Sequence, residues 1–194
     1  EGVLQNCHFL EKLAVDNLTL YSREIEQICQ NGKTLRVLSL EGCSIEFDVQ
    51  TELFQKLFTS CSQLTELNSC NYTLLYRHVC ALVDNLAPNI LKLSLGSQKY
   101  IKDEHVNTLV QRCNKITELD LSDTSITNDS IESIVKHLNS LEKLDVDFTN
   151  IDDSSILQLK SIPTLKILRC FYGQEKRRIN NLKLQLPHIS INQE

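Results

Sequence analysis

A short apolar pattern, L-x-x-L-x-L with isoleucine or valine in some positions, recurs along the chain at a nearly constant spacing. Successive copies begin 24 to 29 residues apart. The alternation in the second half of each copy predicts a short strand with one buried face. The seven copies begin at Leu10, Leu35, Leu64, Ile90, Ile116, Leu141 and Leu165.

The segments between these strands have the spacing of amphipathic helices. Apolar residues recur there at intervals of three and four positions, which predicts one buried helical face. Asp103, and Asn128 or Asp129, stand where N-caps are expected. His105 and His137 are expected on the helix surface. The apolar positions that carry the pattern are Val106, Leu109, Val110 and Cys113 in one segment and Ile131, Ile134, Val135 and Leu138 in the next.

Each unit is therefore predicted to contain a strand, a turn and a helix. Units of this kind bury their apolar faces by stacking on one another. Small residues (Cys43, Thr124 and Thr149) are expected to turn the chain inward after the strand. The prediction is a leucine-rich-repeat solenoid, an α/β horseshoe with a parallel inner sheet, outer helices and about seven repeats of roughly 26 residues. Residues 1–194 form one domain in this interpretation, and the alternation over 189–191 predicts a last edge strand. Because the chain enters in mid-repeat, we expect it to be a fragment of a longer protein.

Composition narrows the possible functions. A net charge of −5 argues against a nucleic-acid partner, and no apolar stretch is long enough to predict a membrane span. The eight cysteines include no Cys-x-x-Cys pair, so free thiols in a reducing compartment, cytoplasm or nucleus, are expected rather than a metal site. We find no motif for a catalytic residue or a cofactor, and we expect no enzyme activity.

The residues that flank the middle leucines of each motif are predicted to point away from the core. They form a continuous surface on the concave face, acidic in its middle, and we take this surface as the candidate binding site for a protein partner. The alternative is that these side chains face water only to keep the chain soluble. The candidate residues are Glu66, Asn68, Lys92, Ser94, Glu118, Asp120, Lys143, Asp145, Asp147, Arg169 and Phe171.

Several segments resemble the repeats of F-box/leucine-rich-repeat proteins, and most closely those of the S-phase kinase-associated protein 2 group. They are TSCSQLTELN (59–68), NTLVQRCNKITELDLSD (107–123), IPTLKIL (162–168) and LPHISIN (186–192), which follow the order and spacing of that group. The resemblance covers nearly the whole chain. It implies the substrate-receptor region of an SCF-type ubiquitin ligase, which holds a cell-cycle regulator on the concave face while other subunits transfer ubiquitin.

The resemblance also implies accessory partners. In that family an F-box before the repeats binds the Skp adaptor, and no F-box lies in these residues, so adaptor binding is expected only through a segment outside this chain. A small Cks protein completes the substrate site, and Asp120 stands at a family position of that surface. The third strand, over Leu67–Cys70, lacks an apolar residue and the tryptophan that follows it in the family. We therefore expect a shortened strand, and of the Cks-binding residues only Asp120 carries over.

Two interpretations remain beside this one. A free-standing cytosolic repeat protein that acts as a scaffold or inhibitor has the same repeats without a ligase role. The second is an ectodomain, because Asn17 and Asn71 begin Asn-x-Ser/Thr sequences, which are acceptor sites for N-glycosylation. The disulfide-bonded caps that usually close the ends of such ectodomains are not found in the sequence. The basic run at 175–178 is either a solvated helix start or a contact for an anion or phosphopeptide.

Overall fold

Short parallel strands recur along the chain and define the architecture of the computed structural model, which describes residues 7, 9–46, 49–71, 74–171 and 176–192. The strands are β1 Lys12–Ala14, β2 Thr19–Leu20, β3 Val37–Ser39, β4 Ser44–Ile45, β5 Glu66–Asn68, β6 Lys92–Ser94, β7 Glu118–Asp120, β8 Lys143–Asp145, β9 Ile167–Arg169 and β10 Ser190–Ile191. Eight of these strands form one sheet in the order β1-β3-β5-β6-β7-β8-β9-β10, and β2 pairs with β4 in a separate sheet.

The buried side of the main sheet is a ladder of leucines. The central residue of each motif strand pairs with its counterpart in the next repeat, as Leu67 does with Leu93 and Leu93 with Leu119. All three are buried. The predicted repeat solenoid is confirmed, and the last strand forms over the Ile189–Ile191 segment where the alternation indicates it.

Helices cover the opposite side and are broader than the strands, so the stack curves with the sheet inside. Ile131, Ile134 and Leu138 are buried along one helix face, as their spacing predicts. The sixth unit departs from the others because its long helix is replaced by a short one and a 3₁₀ helix, Leu157–Ser161. The helices are α1 Ser22–Asn31, α2 Thr51–Ser60, α3 Tyr76–Asn85, α4 Asp103–Arg112, α5 Asn128–His137, α6 Asp153–Ile156 and α7 Lys176–Gln185.

The turn after the strand is closed by the small residues expected there. Cys43, Thr124 and Thr149 are all buried. The Thr124 hydroxyl donates to the carbonyl of Leu121 at 2.6 Å, and the Thr149 hydroxyl does the same to Val146. Each polar group therefore has a partner in the core, which is the condition for burying it at low cost.

The predicted N-caps are wrong. Helix α4 begins at Asp103 itself with Lys102 as its N-cap, and α5 begins at Asn128 after Thr127. The Asp103 carboxylate instead accepts hydrogen bonds from the Thr127 amide at 2.8 Å and from the hydroxyls of Thr127 and Ser130. It therefore fixes the start of the helix in the next repeat, a contact between repeats that local sequence rules do not reveal.

His105 is buried, with 5 % of its surface exposed, so its predicted place on the helix surface is wrong. Its ring lies between α4 and α3, where Nδ1 accepts from the Lys102 amide at 3.2 Å and the ring of Tyr76 packs 5.5 Å away. Burial lowers the pKa of His105. The stacking of neighbouring helices hides a position that is outward-facing on an isolated helix.

The third repeat keeps its full strand, so the expected shortening is also wrong. Strand β5 has three residues, like its neighbours, and Ser69 is buried with 3 % exposed where the motif has an apolar residue. The buried Gln98 amide compensates, because it donates to the Ser69 carbonyl at 2.5 Å and accepts from the Leu74 amide at 2.9 Å. A satisfied polar bridge thus replaces one leucine contact.

The cysteines lie mostly in the core. Cys29, Cys43, Cys61, Cys113 and Cys170 are buried, and all eight thiols are unpaired in the structure. Burial raises the pKa of Cys61 to about 12. These thiols behave as small apolar side chains and not as reactive thiolates.

Candidate protein-binding face

Two rows of side chains cross the concave face, because neighbouring strands pair in register. The first row is the leading residue of each strand and the second row is the third residue. In the first row Glu66 pairs with Lys92, Lys92 with Glu118, Glu118 with Lys143 and Lys143 with Ile167. In the second row Asn68 pairs with Ser94, Ser94 with Asp120, Asp120 with Asp145 and Asp145 with Arg169.

These rows border a groove of about 610 Å³. It extends from Val37 in β3 to Arg169 in β9, and nine of the eleven predicted residues line it. The other two, Asp147 and Phe171, lie just beyond the ends of β8 and β9. The structure thus brings the predicted residues together on one surface.

The positive and negative charges of the first row nearly cancel. Glu118 lies between two lysines, with its carboxylate 3.3 Å from Lys92 Nζ and 3.0 Å from Lys143 Nζ, and Lys92 also lies 4.0 Å from Glu66. Partial burial acts to raise the pKa of Glu118, but the hydrogen bonds from Lys143 and Lys92 outweigh it and hold that pKa below its ordinary value. The row is therefore charged and half-exposed, yet close to balanced.

The polar atoms of the second row bind neighbouring side chains and the turns that follow the strands. Asp120 accepts hydrogen bonds from the Ser94 hydroxyl at 2.6 Å, the Ser122 amide at 2.9 Å and the Ser122 hydroxyl at 2.7 Å. These three donors use most of the acceptor sites of the carboxylate. Asp120 therefore shapes the turn after β7, a role that sequence reasoning missed although Asp-x-Ser is a known turn pattern.

The same geometry recurs at the neighbouring strand ends. Asp145 accepts from the amide of Asp147 at 3.0 Å, and the side-chain oxygen of Asn68 accepts from the amide of Cys70 at 3.3 Å. In both cases a side chain binds the backbone two residues further on, as in an Asx turn. The second row is thus partly a structural device of the repeat.

Negative charge accumulates where β7 and β8 end. Burial raises the pKa of Asp145 to about 6, and the nearby carboxylates of Asp147 and Asp120 add to the effect. Burial also raises the pKa of Asp147. Arg169 lies 3.7 Å from Asp145 and offsets part of this charge. This end of the groove is the part in which a further positive charge would be favoured.

An aromatic pair stands beside these carboxylates. The rings of Phe148 and Phe171 are 5.9 Å apart in an edge-to-face arrangement. Phe171 is a predicted site residue, but Phe148 is not. Phe148 is 56 % exposed and has a positive φ of 56°. Aligning the repeats provides a signal that could have found it, since the equivalent positions in the five preceding repeats hold small or short polar residues: Asn17, Gly42, Asn71, Ser97 and Asp123.

The basic run at 175–178 lies partly outside the described residues. Glu175 is not described, nor are the side chains of Lys176 and Arg177. Arg178 turns toward the preceding repeat, where its guanidinium pairs with the Asp153 carboxylate and donates to the carbonyls of Cys170 and Ile151. The guanidinium of Arg178 thus joins the last two units to one another.

No cluster of three or more His, Cys, Asp or Glu side chains that could hold a metal ion occurs within the described ranges.

Across the same described positions, none of the helices combines the length and apolar character needed to cross a membrane.

The parallel sheet, the outer helices and the polar concave groove define a leucine-rich-repeat protein. A family comparison makes this more specific: the sequence profile of the SKP2 LRR domain matches residues 1–194. The chain therefore belongs to the SKP2 leucine-rich-repeat family.

A solved structure with the same fold is an internalin, InlF, from Listeria monocytogenes. The two share 18 % sequence identity and a TM-score of 0.58, over 90 % of this chain and 52 % of the internalin. This chain thus spans about half the length of that protein. At this level of identity the similarity establishes the fold alone.

Proposed function

We propose that this chain is the substrate-binding region of an SCF-type ubiquitin ligase, and that it holds a protein such as a cell-cycle regulator on its concave face. The observation that carries the proposal is the continuous groove of about 610 Å³ in a member of the SKP2 repeat family. The chain then binds and orients the substrate, and other subunits transfer ubiquitin. We place this activity in the cytoplasm or nucleus, where the buried thiols would stay reduced.

The composition of the groove suits a polypeptide segment. Half-exposed apolar side chains, Val37 and Ile167, stand near its two ends, and charged side chains lie between them. Apolar contacts at the ends would contribute affinity, while the Lys92, Glu118 and Lys143 row would favour one register of the bound chain.

Two accessory partners belong to the proposal. The Skp adaptor would bind an F-box segment outside these residues, and a Cks protein would bind beside Asp120. Three hydrogen bonds already engage that carboxylate. A Cks contact would therefore use its remaining acceptor site or the neighbouring groove residues.

Affinity capture from a reduced cell lysate tests the binding site. Val37→Arg with Ile167→Arg places two charged side chains in the groove without removing a core residue. The matched control, Tyr100→Arg with Leu184→Arg, changes two exposed apolar residues outside it. We expect the groove variant to lose specific partners that the control retains. Equal retention by both variants would place the binding surface elsewhere.

The half-life of a captured partner separates the ligase role from a scaffold or inhibitor role. When the full gene product is depleted from cells, a ligase substrate should persist longer and carry less ubiquitin. A partner whose half-life and ubiquitination do not change would favour a free-standing binding protein.

A further inference from the structure

Phe148 and Phe171 form an aromatic step at the rim of the groove. Their rings contact edge to face at 5.9 Å, and the Phe148 amide donates to the Phe171 carbonyl at 2.8 Å. Phe171 is half-buried, whereas Phe148 is largely exposed. The backbone therefore fixes the pair in place and leaves more than half of the surface of Phe148 exposed to solvent.

The backbone at Phe148 is in a conformation that a bulky residue rarely adopts. Its φ of 56° is left-handed, and such a value is uncommon for residues other than glycine, asparagine and aspartate. The equivalent position in the preceding repeat is Asp123, also left-handed. Phenylalanine here departs from local preference and also exposes an apolar ring, so the needs of the fold do not explain it.

Aspartates stand next to this aromatic step, both in the chain and in the preceding repeat. Asp147 precedes Phe148 and accepts a hydrogen bond from the Phe171 amide, and the exposed Asp123 donates its own amide to the Asp147 carbonyl at 2.8 Å. Asp145 lies two residues before Asp147, at the end of β8, and Arg169 pairs with it at 3.7 Å. The charge around the rings thus stays negative after Arg169 is counted.

We propose that Phe148 and Phe171 form a docking site for an arginine or lysine side chain carried by a partner polypeptide. A cation is attracted to the face of an aromatic ring, and nearby carboxylates strengthen that attraction. An apolar partner would gain affinity from contact with the rings, but the carboxylates of Asp123 and Asp147 would add nothing to its binding. The negative charge therefore favours a basic segment over an apolar one. The inference rests on the proposed function, since it assigns the chemistry of one end of the same binding face.

A peptide selection tests the chemistry without knowledge of the natural partner. The probe is a phage-displayed random heptapeptide library, selected on the immobilised wild-type chain. We expect arginine or lysine to be enriched about tenfold over aspartate and glutamate at one position. A synthetic copy of a selected peptide then gives a dissociation constant by fluorescence polarisation.

A double-mutant cycle assigns the contact to Phe148. Phe148→Asn should weaken the peptide about tenfold, and replacing the peptide's arginine with citrulline should do the same. The two changes together should cost little more than either alone. Phe9→Asn, which alters another exposed phenylalanine, is the matched control and should leave the affinity unchanged. Thermal midpoints within about 4 °C of wild type would show that each variant is folded.

The other outcomes separate this inference from the proposed function. If Val37→Arg with Ile167→Arg abolishes peptide binding while Phe148→Asn has no effect, the groove binds its partner and the basic docking site is wrong. Enrichment of apolar residues alone, or a dimer of wild-type chains that Phe148→Asn dissociates, would overturn the inference in favour of another occupant. A selection that yields no peptide bound to the wild-type chain would count against both proposals.

Discussion

The two rows of the concave face share one sheet and one spacing, yet they use their polar side chains differently. In the first row Glu118 pairs across strands with Lys92 and Lys143, so the side chains stabilise only one another. In the second row Asp120 and Asp145 accept hydrogen bonds from the turn that follows their own strands. An outward-facing polar residue in such a repeat is therefore less available to a partner where the backbone already uses part of its hydrogen-bonding capacity.

This difference changes which residues are suitable for testing the binding face. Substituting Asp120 would disturb the turn and the charge together, and its effect on binding would be hard to interpret. Lys143, Ile167 and the aromatic pair can be changed at little cost to the fold.

The largest effect should come from removing the structural carboxylate. Asp120→Ala leaves three donors without their partner, and we expect it to lower the free energy of unfolding by about 2 to 4 kcal/mol. Glu118→Ala removes only half-exposed ion pairs and should cost about 1 kcal/mol or less. Urea unfolding of the two variants measures the difference. Equal losses would contradict the distinction between the rows.

Asp145→Asn should stabilise the protein at neutral pH. Burial raises the pKa of Asp145 from 3.8 to about 6, so the folded state binds this proton more tightly than the unfolded state does. The stability that the group contributes is present below pH 4 and is lost as the pH rises through 6. The asparagine oxygen can still accept from the Asp147 amide, and we expect a gain of about 1 to 3 kcal/mol at pH 7.5.

Urea unfolding between pH 7.5 and pH 4 checks this sign. The advantage of Asp145→Asn should shrink toward zero as Asp145 becomes protonated in the wild type. Glu118→Gln is the control from the other row, because the pKa of Glu118 is lowered by its lysines. That variant should show no advantage at pH 7.5. A constant gain for Asp145→Asn at every pH would mean that charge is not its cause.

Phe148→Gly should change stability by no more than about 1.5 kcal/mol. Glycine relieves the left-handed backbone, which costs an ordinary residue roughly 1 to 2 kcal/mol, while losing the contact with Phe171 takes away about 0.5 to 1.5 kcal/mol. Denaturant unfolding tests this near-cancellation. A loss above about 3 kcal/mol would indicate that Phe148 is a core residue of the fold.

Lys143→Ala should have the smallest effect. The lysine is half-exposed and its pair with Glu118 is screened by salt, so we expect a loss of less than about 1 kcal/mol that diminishes at high ionic strength. Unfolding in low and high sodium chloride measures it. A larger loss that persists at high salt would show that the first row also supports the fold.

Much of this architecture could be predicted from sequence because its determinants are local and periodic. The alternation around Leu93, Leu119 and Leu144 fixes which residues are buried in each strand, and repetition fixes their neighbours. The same argument correctly places Glu118 and Lys143 on the groove.

What could not be predicted depends on contacts between repeats. Asp103 binds the next helix, and His105 is covered by the previous one. Gln98 binds the carbonyl of Ser69, which stands where the repeat motif has an apolar residue. Each contact joins residues more than twenty positions apart, so spacing within one repeat gives no signal for it. Phe148 differs from these, since comparing equivalent positions among repeats identifies it without a structure.

Site-specific photocrosslinking tests the central claim, that the concave face is where the partner binds, most directly. Benzoylphenylalanine at Ile167, in the groove, is compared with the same residue at Lys136, on helix α5 of the outer surface. We expect a crosslinked partner from position 167 and none from position 136. Crosslinking from position 136 alone would mean that the partner binds the helices and not the concave face.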